Sequence, residues 1–419
     1  MRGKLCPNKI CRIISALLIF QQNLQTVFIF AFVLLYNTFI KGGVFLKNIK
    51  RDNAIARFLY IIVGAVCGIF MIFASDPEKL FGKSPRDFVL QMVFCMIMVF
   101  VAFFVQAVIH EFGHLLFGLL TGYKFISFRI GNIMFIKESG KLRIKLYNIV
   151  GTGGQCLMMP PPWKENLPTV LYNFGGCILN FITSAVFLII FIFMEKGTFW
   201  AVFVGMLSAV GFGNVLLNGI PLQVGGISND GRNAFLLGKN PVALRSFWLQ
   251  LYVNGLISEG ERMRNMPGDW FFLPSGEDLF DPMVCTVGVM KYNYFYDIHD
   301  FKSAELTAEY MLRAPGLLGL HRNELSCELL FLKIFRGAEP SEIEALYTKE
   351  LDKYIKATAN YVSRRRLAYA YQLLYLKNIT MAQKCLEVFE KTVKSYPYSA
   401  EIENEKEIIE LIKAKAEIY

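Results

Sequence analysis

Four stretches of this chain, about residues 58–74, 88–109, 169–194 and 199–217, are apolar and carry no charged side chain. Each is long enough, or nearly so, for a bilayer crossing, which takes roughly 17–25 residues. Backbone in lipid must satisfy its own hydrogen bonds, so each stretch is a candidate transmembrane helix. A polytopic helical bundle is therefore the expected architecture. At 54% hydrophobic and a mean hydropathy of +0.40, the composition agrees.

Charge shows where the lipid-exposed part ends. Residues 1–240 hold 22 Lys and Arg against 9 Asp and Glu, and residues 241–419 hold 22 against 25, so the net charge of +10 belongs to the first part. The basic residues cluster at 41–57 and 123–168, while 75–87 and the Glu195-Lys196 turn are balanced. By the positive-inside rule the basic loops are cytoplasmic, and so is everything after about residue 220. No face combines basic and aromatic residues, which argues against nucleic acid as a partner. The nine cysteines are scattered, without a Cys-x-x-Cys pair, and read as small core residues. The expected organisation is a hydrophobic N-terminal segment at 1–50, a transmembrane domain at 51–240 and a cytosolic helical domain at 241–419. Residues 13–40 are uncharged but broken by "QQNLQ", which leaves open a re-entrant hairpin, a further crossing or a misassigned start codon. They lack a convincing small-residue cleavage site, so a cleaved signal peptide is not the expectation.

Between the second and third stretches, "NIMFIKESGKLRIKLYNI" alternates apolar and polar residues about a Glu-Ser-Gly-Lys turn, the pattern of a β-hairpin. It is either a surface hairpin or an edge that could pair with an extended peptide. Beyond 241, "FKSAELTAEYMLRAP" and "MAQKCLEVFEKTVKSYP" have helical spacing with a weak tetratricopeptide character, suited to an adaptor role toward a protein partner or to an ordinary helical domain. The acidic "EIENEKEIIE" reads as a solvated helix face. The fold class is thus mainly α: a polytopic transmembrane bundle with a small β-hairpin and a C-terminal soluble helical domain.

Within the second apolar region lies "FVQAVIHEFGHLLFGLL", residues 104–120, with three titratable groups in five positions. Each charge near mid-bilayer costs about 2.5–3.5 kcal/mol on insertion scales, so such groups are functional unless shown otherwise. On a helix His110 and His114, at i and i+4, share a face and can hold one metal ion. Glu111 beside them can accept a proton from a water that the metal activates, and this His-Glu-x-x-His pattern is the zinc-peptidase signature. A catalytic zinc needs a third protein ligand. The membrane half has nine acidic residues. Asp76, Glu78, Asp87 and Glu195 fall on the outer side, Asp52 precedes the spans, Glu138 sits in the hairpin turn and Glu165 in a proline-rich loop. Asp230, after the uncharged "NVLLNGIPLQVGGISN", is the best candidate. His299 and His321 lie in the C-terminal region and read as incidental.

His-Glu-Phe-Gly-His at the end of a membrane helix, followed after two further spans by Asn218-Gly-Ile-Pro221 and Asp230-Gly231, resembles the site-2 protease family of intramembrane zinc metalloproteases. The resemblance covers roughly residues 88–235. It implies that His110, His114 and Asp230 bind Zn²⁺, that Glu111 is the general base, and that a transmembrane or membrane-adjacent peptide is cut near the cytosolic face. It also places Asn180, in "GGCILN", at a family position in the next helix, with close packing of small residues the alternative. Gln155 and Asn218 are candidates to hold the substrate backbone through side-chain amides. Two features depart from the family. The spacer from Pro221 to Asp230 is longer than usual, and the external loops are too short for a PDZ domain. The expected protein is a multi-pass cell-membrane endopeptidase. A maturation or export protease for a small peptide such as a pheromone or bacteriocin, and a non-catalytic membrane scaffold, are the rival readings.

Overall fold

The computed structural model describes residues 47–74, 85–138, 140–147 and 153–417. The N-terminal apolar segment and most of the balanced loop at 75–87 lie outside the described residues. Helices dominate. Among the described residues four are long and apolar enough to cross a membrane: α1 (Lys47–Ala74), α2 (Pro85–Leu120), α3 (Thr169–Phe193) and α4 (Phe199–Gly219). The chain divides into two compact units, residues 1–113 with 176–232, and residues 114–175 with 233–419.

In the first unit α1 packs along α4 around Val63, Cys67, Met206 and Val210, which are buried, while Phe58, Ile61, Phe100, Phe104, Ile189 and Ile192 stay exposed. An apolar surface of this kind suits lipid rather than water. Small residues allow the close approach: a Cβ on Gly213 would lie 2.5 Å from Val63 Cγ1. Helix α4 begins at a Thr198 cap, whose hydroxyl accepts from Ala201 N at 3.1 Å, and ends because Ile220 precedes a proline and is extended. A two-stranded ribbon follows, β5 (Gln223–Val224) and β6 (Ile227–Ser228), and then the start of α5 (Asp230–Leu236).

The second unit holds a four-stranded antiparallel sheet and the C-terminal helices. The expected hairpin is present as β2 (Ile133–Glu138) and β3 (Lys141–Leu146), with Gly140 at φ +77° in its turn. Two strands that the sequence pattern does not announce extend it, β1 (Lys124–Ile130) and β4 (Gly154–Met159), in the order β3-β2-β1-β4. Met134 pairs with Lys145 and Ile136 with Arg143, so the core face takes Met134 and Ile136 of β2 beside the basic residues of β3. Leu142, Ile144 and Leu146 consequently fall on the other face, 64%, 66% and 75% exposed. Met134, Ile136 and Tyr147 share a core with Leu330, Phe331 and Ile408 of the C-terminal helices, within the second unit.

Those helices start where capping chemistry places them. Asn240-Pro241 opens α6 (Pro241–Ser258) and Asp281-Pro282 opens α7 (Pro282–Asp297). Helices α8 (Phe301–Met311), α9 (Gly319–Arg336), α10 (Pro340–Leu346), α11 (Lys349–Ala357), α12 (Val362–Ala370), α13 (Ile379–Ser395) and α14 (Ser399–Glu417) complete the chain. They range from 7 to 19 residues and display no constant repeat length.

The acidic face of α14 is not simply solvated. Glu405 is buried against Arg366, with Nε at 2.9 Å, and Glu407 joins Arg262 and Arg264. Arg364 and Arg366, from a run of three arginines, are themselves buried because Glu328 on α9 faces both, at 3.1 and 2.5 Å. His299 belongs to the Arg264 and Glu407 cluster. Burial alone would raise the Glu328 carboxyl, but the two guanidiniums hold it below its ordinary value. Its contribution to stability is therefore complete above the unfolded carboxylate pKa of about 4.3 and is lost as pH falls through the depressed native value. Replacing Glu328 by Ala leaves two buried guanidiniums short of a partner, and should cost about 3–5 kcal/mol. Chemical unfolding of the detergent-solubilised chain measures this; a loss under about 1 kcal/mol would mean that the network contributes no more than surface ion pairs do.

Candidate metal centre

Helix α2 runs unbroken through His110, Glu111 and His114, so the two histidines stand about one turn apart on one face. The environment of each ring decides which nitrogen carries the proton. Asn180 Nδ2 on α3 donates to the Gln106 carbonyl at 3.0 Å and to Gln106 Oε1 at 2.6 Å, and Gln106 Nε2 donates to the Leu207 carbonyl at 2.7 Å. The Asn180 oxygen is thereby left to accept from His110 Nδ1 at 2.7 Å. With Nδ1 committed, His110 Nε2 faces Asp230 Oδ2 at 2.8 Å. A ring lone pair and a carboxylate oxygen held this close need positive charge between them, from a second ring proton or a metal ion.

His114 is oriented in the same way. Its Nδ1 donates to the Tyr172 carbonyl at 2.8 Å, which puts the lone pair on Nε2. His110, His114 and Asp230 each offer one ligand atom, and these atoms lie within 4.8 Å of one another. Two imidazole nitrogens and a carboxylate oxygen are a donor set that zinc takes with a position left open, and rings anchored at Nδ1 are the usual outer-shell arrangement around it. By donor chemistry and by ring orientation the residues present fit that ion.

The carboxylate reaches this position through the ribbon. Gly225 and Gly226, at φ +61° and +90°, make the two-residue turn that folds β5 onto β6. The long spacer after Pro221 is thus taken up by a hairpin that doubles back. Asn229 locks its base: Oδ1 accepts from Leu222 N and Arg232 N, both at 3.0 Å, and Nδ2 donates to the carbonyls of Leu217 at 2.9 Å and Ile220 at 2.7 Å. Asp52 on α1 accepts from Gln223 N at 3.0 Å, tying the ribbon to the first span. A Cβ at position 231 would sit 2.1 Å from the Gly219 carbonyl oxygen, so only glycine allows α5 to start against the end of α4.

The other residues named from sequence fall in different places. Asn180 is 0% exposed, with both ends of its amide turned to His110 and Gln106. Asn218 is the penultimate residue of α4, its carbonyl oxygen 2.9 Å from where a Cβ on Gly231 would lie. Gln155 stands exposed on β4, in register with Arg129 of β1. Glu111 is half-buried. Gln106, Gly176, Asn229 and Asp52 build the site without standing out in the sequence as site residues. Gln106 has a signal, being one of two amides in an uncharged span, with Gln91, and standing one turn before His110. Gly176 has less: a Cβ there would meet three atoms of the His110 ring at 2.6–2.7 Å, which no local pattern foretells.

A model of peptidase family M50 matches residues 98–413, more than half of the chain. No curated protein and no solved structure matches it.

If the rings are held as described, Asn180→Ala and Gly176→Val should each lower zinc affinity by about 10–100-fold, the usual cost of losing an outer-shell partner. Competition with a chromophoric chelator reads the affinity, and far-UV circular dichroism checks that the helices persist. Unchanged affinity in both variants would show that the rings are oriented by something else.

Proposed function

Because this chain belongs to peptidase family M50, the site-2 protease family, we propose that it is an intramembrane zinc endopeptidase acting on a transmembrane or membrane-adjacent peptide. The observation that carries the reading is the approach of the Asp230 carboxylate to His110 Nε2, 120 residues apart in sequence, beside a second histidine on the same helix. His110, His114 and Asp230 would hold the ion. When bound there, Zn²⁺ supplies Lewis acidity, which polarises a peptide carbonyl and makes water acidic enough to ionise near neutral pH.

The chain's own groups do the rest. Glu111 takes the proton of the attacking water and returns it to the departing amine, a transfer worth about 10²–10⁴-fold in rate. Asn180 and Gln106 keep the His110 lone pair aimed at the site, and the Tyr172 carbonyl does the same for His114. A peptide bond in a membrane helix is shielded by helical hydrogen bonds, so a substrate must be locally extended before its carbonyl is accessible. The edges of the sheet, β3 and β4, offer backbone to which an extended segment could add as a strand. Gln155 on that edge and Asn218 remain the candidates for amide contacts to the substrate. The basic residues of 123–168 favour a cytoplasmic position for the sheet and the C-terminal helices, where those helices could meet a protein partner. Family membership favours the hydrolase over the scaffold reading. The residues favour neither regulated cleavage of a membrane protein nor maturation of a small exported peptide.

Glu111→Gln should keep stoichiometric zinc and lose cleavage by at least about 10²-fold, whereas His110→Ala and Asp230→Ala should lose zinc and cleavage together. The measurements are elemental analysis of the purified chain and cleavage of a substrate captured by the Glu111→Gln form. Cleavage retained by Glu111→Gln would remove that carboxylate from the mechanism.

A further inference from the structure

The second unit contains a cavity of about 350 Å³ that the proteolytic reading does not use. It lies among α7, α9, α12 and α14, and its size is within the ordinary range of small-ligand sites. Its lining is unusual in charge. Six carboxylates face it, from Glu261, Asp297, Glu324, Glu328, Glu401 and Glu405, against one lining guanidinium, Arg262. Arg262 is taken by Asp297 and Glu407. Behind the wall, Arg364 and Arg366 serve Glu324, Glu328 and Glu405, two guanidiniums for three carboxylates. His321 adds no charge at neutral pH, because burial holds it below its ordinary value.

Glu401 faces no cation among the described residues; the Tyr396 hydroxyl donates to it at 2.5 Å. Burial pushes its carboxyl up to about 7, with Glu405 and Glu324 adding to the rise against the Tyr396 hydrogen bond. An independent sign comes from Tyr296, which also lines the cavity. It is 5% exposed, and its hydroxyl has no hydrogen-bond partner in a protein interior where such groups are nearly always satisfied. The rings of Tyr292, Tyr361 and Tyr396 complete an aromatic wall. Excess negative charge, π faces and an unsatisfied hydroxyl in one half-enclosed space are what an organic cation needs.

We propose that this cavity binds an alkylammonium or guanidinium group, seated against Glu401 and walled by the tyrosines. A bare metal ion fits less well, since most of the carboxylates are already engaged by arginine and the space is far larger than one ion. The cation could come from a lysine or arginine side chain of a peptide or from a free polyamine. The proposal does not rest on the protease reading.

The test is calorimetric titration of the full-length chain in detergent at pH 8 with three probes: spermidine, a capped hexapeptide carrying two lysines, and the same peptide with both lysines acetylated. Calcium chloride is the metal control. Saturable binding of spermidine or the lysine peptide, absent for the acetylated peptide, is expected. Binding of one cation alone identifies the source. Glu401→Gln should weaken that binding at least about tenfold, the effect of losing one charged hydrogen-bond partner. The proposal is overturned if neither cation saturates, if the acetylated peptide binds as well, if only calcium binds, or if Glu401→Gln melts like the wild type and keeps its affinity. Should Glu401→Gln fail to fold, Tyr296→Phe decides, because it removes one oxygen and keeps the ring. Weaker binding in that variant supports the proposal, and unchanged affinity overturns it.

Discussion

An imidazole whose Nδ1 is already committed to Asn180, and whose Nε2 is held 2.8 Å from the Asp230 carboxylate, is the constraint on which the membrane helices depend. Left without a cation between them, the lone pair and the carboxylate would repel in surroundings of low dielectric, where that repulsion is least screened. Several otherwise separate features serve this contact. Gly176 lets α3 lie flat against the ring, Gln106 fixes the Asn180 amide, and the β5–β6 ribbon with Asn229 delivers the carboxylate. Asp52, buried on the first span, holds the ribbon from the far side. A chain that needed only to cross the bilayer would have no use for so many polar groups there.

Much of this was legible in the residues because membrane insertion penalises charge so strongly. An uncharged run of some twenty apolar residues has few alternatives to a spanning helix, and three titratable groups inside one have few alternatives to a site. The β2–β3 hairpin was legible from alternation about its turn. Strand β4 was not, since four consecutive buried residues, Cys156 to Met159, follow a glycine-rich segment and carry no period of two. The spacer to Asp230 looked too long because residue count measures contour, and a glycine turn shortens the path without shortening the chain. Three arginines in succession at 364–366 and the acidic run at 401–410 each suggest solvent. Two of the arginines are buried with Glu328 and Glu405, partners 36–39 residues away that no local window connects.

The two compact units show different uses of polar chemistry. In the spanning helices the buried polar groups beside the metal site are neutral amides, joined in one chain from Leu207 to His110, and Asp52 is a buried charge of the first span. In the C-terminal helices the polar groups are ionic, numerous and partly in excess on the acidic side, so burial there is tolerated through arginine pairing. Such pairing seldom adds net stability over an apolar core, but it fixes geometry, which suits walls that must hold a cavity open.

X-ray absorption at the zinc edge on the purified full-length chain tests the central claim most directly, since it reads the ligands rather than the activity. Coordination by two imidazole nitrogens with the remaining ligands oxygen is the result this account predicts, with one imidazole lost in His114→Ala. Sulfur in the coordination sphere, or a single imidazole in the unaltered chain, would contradict it.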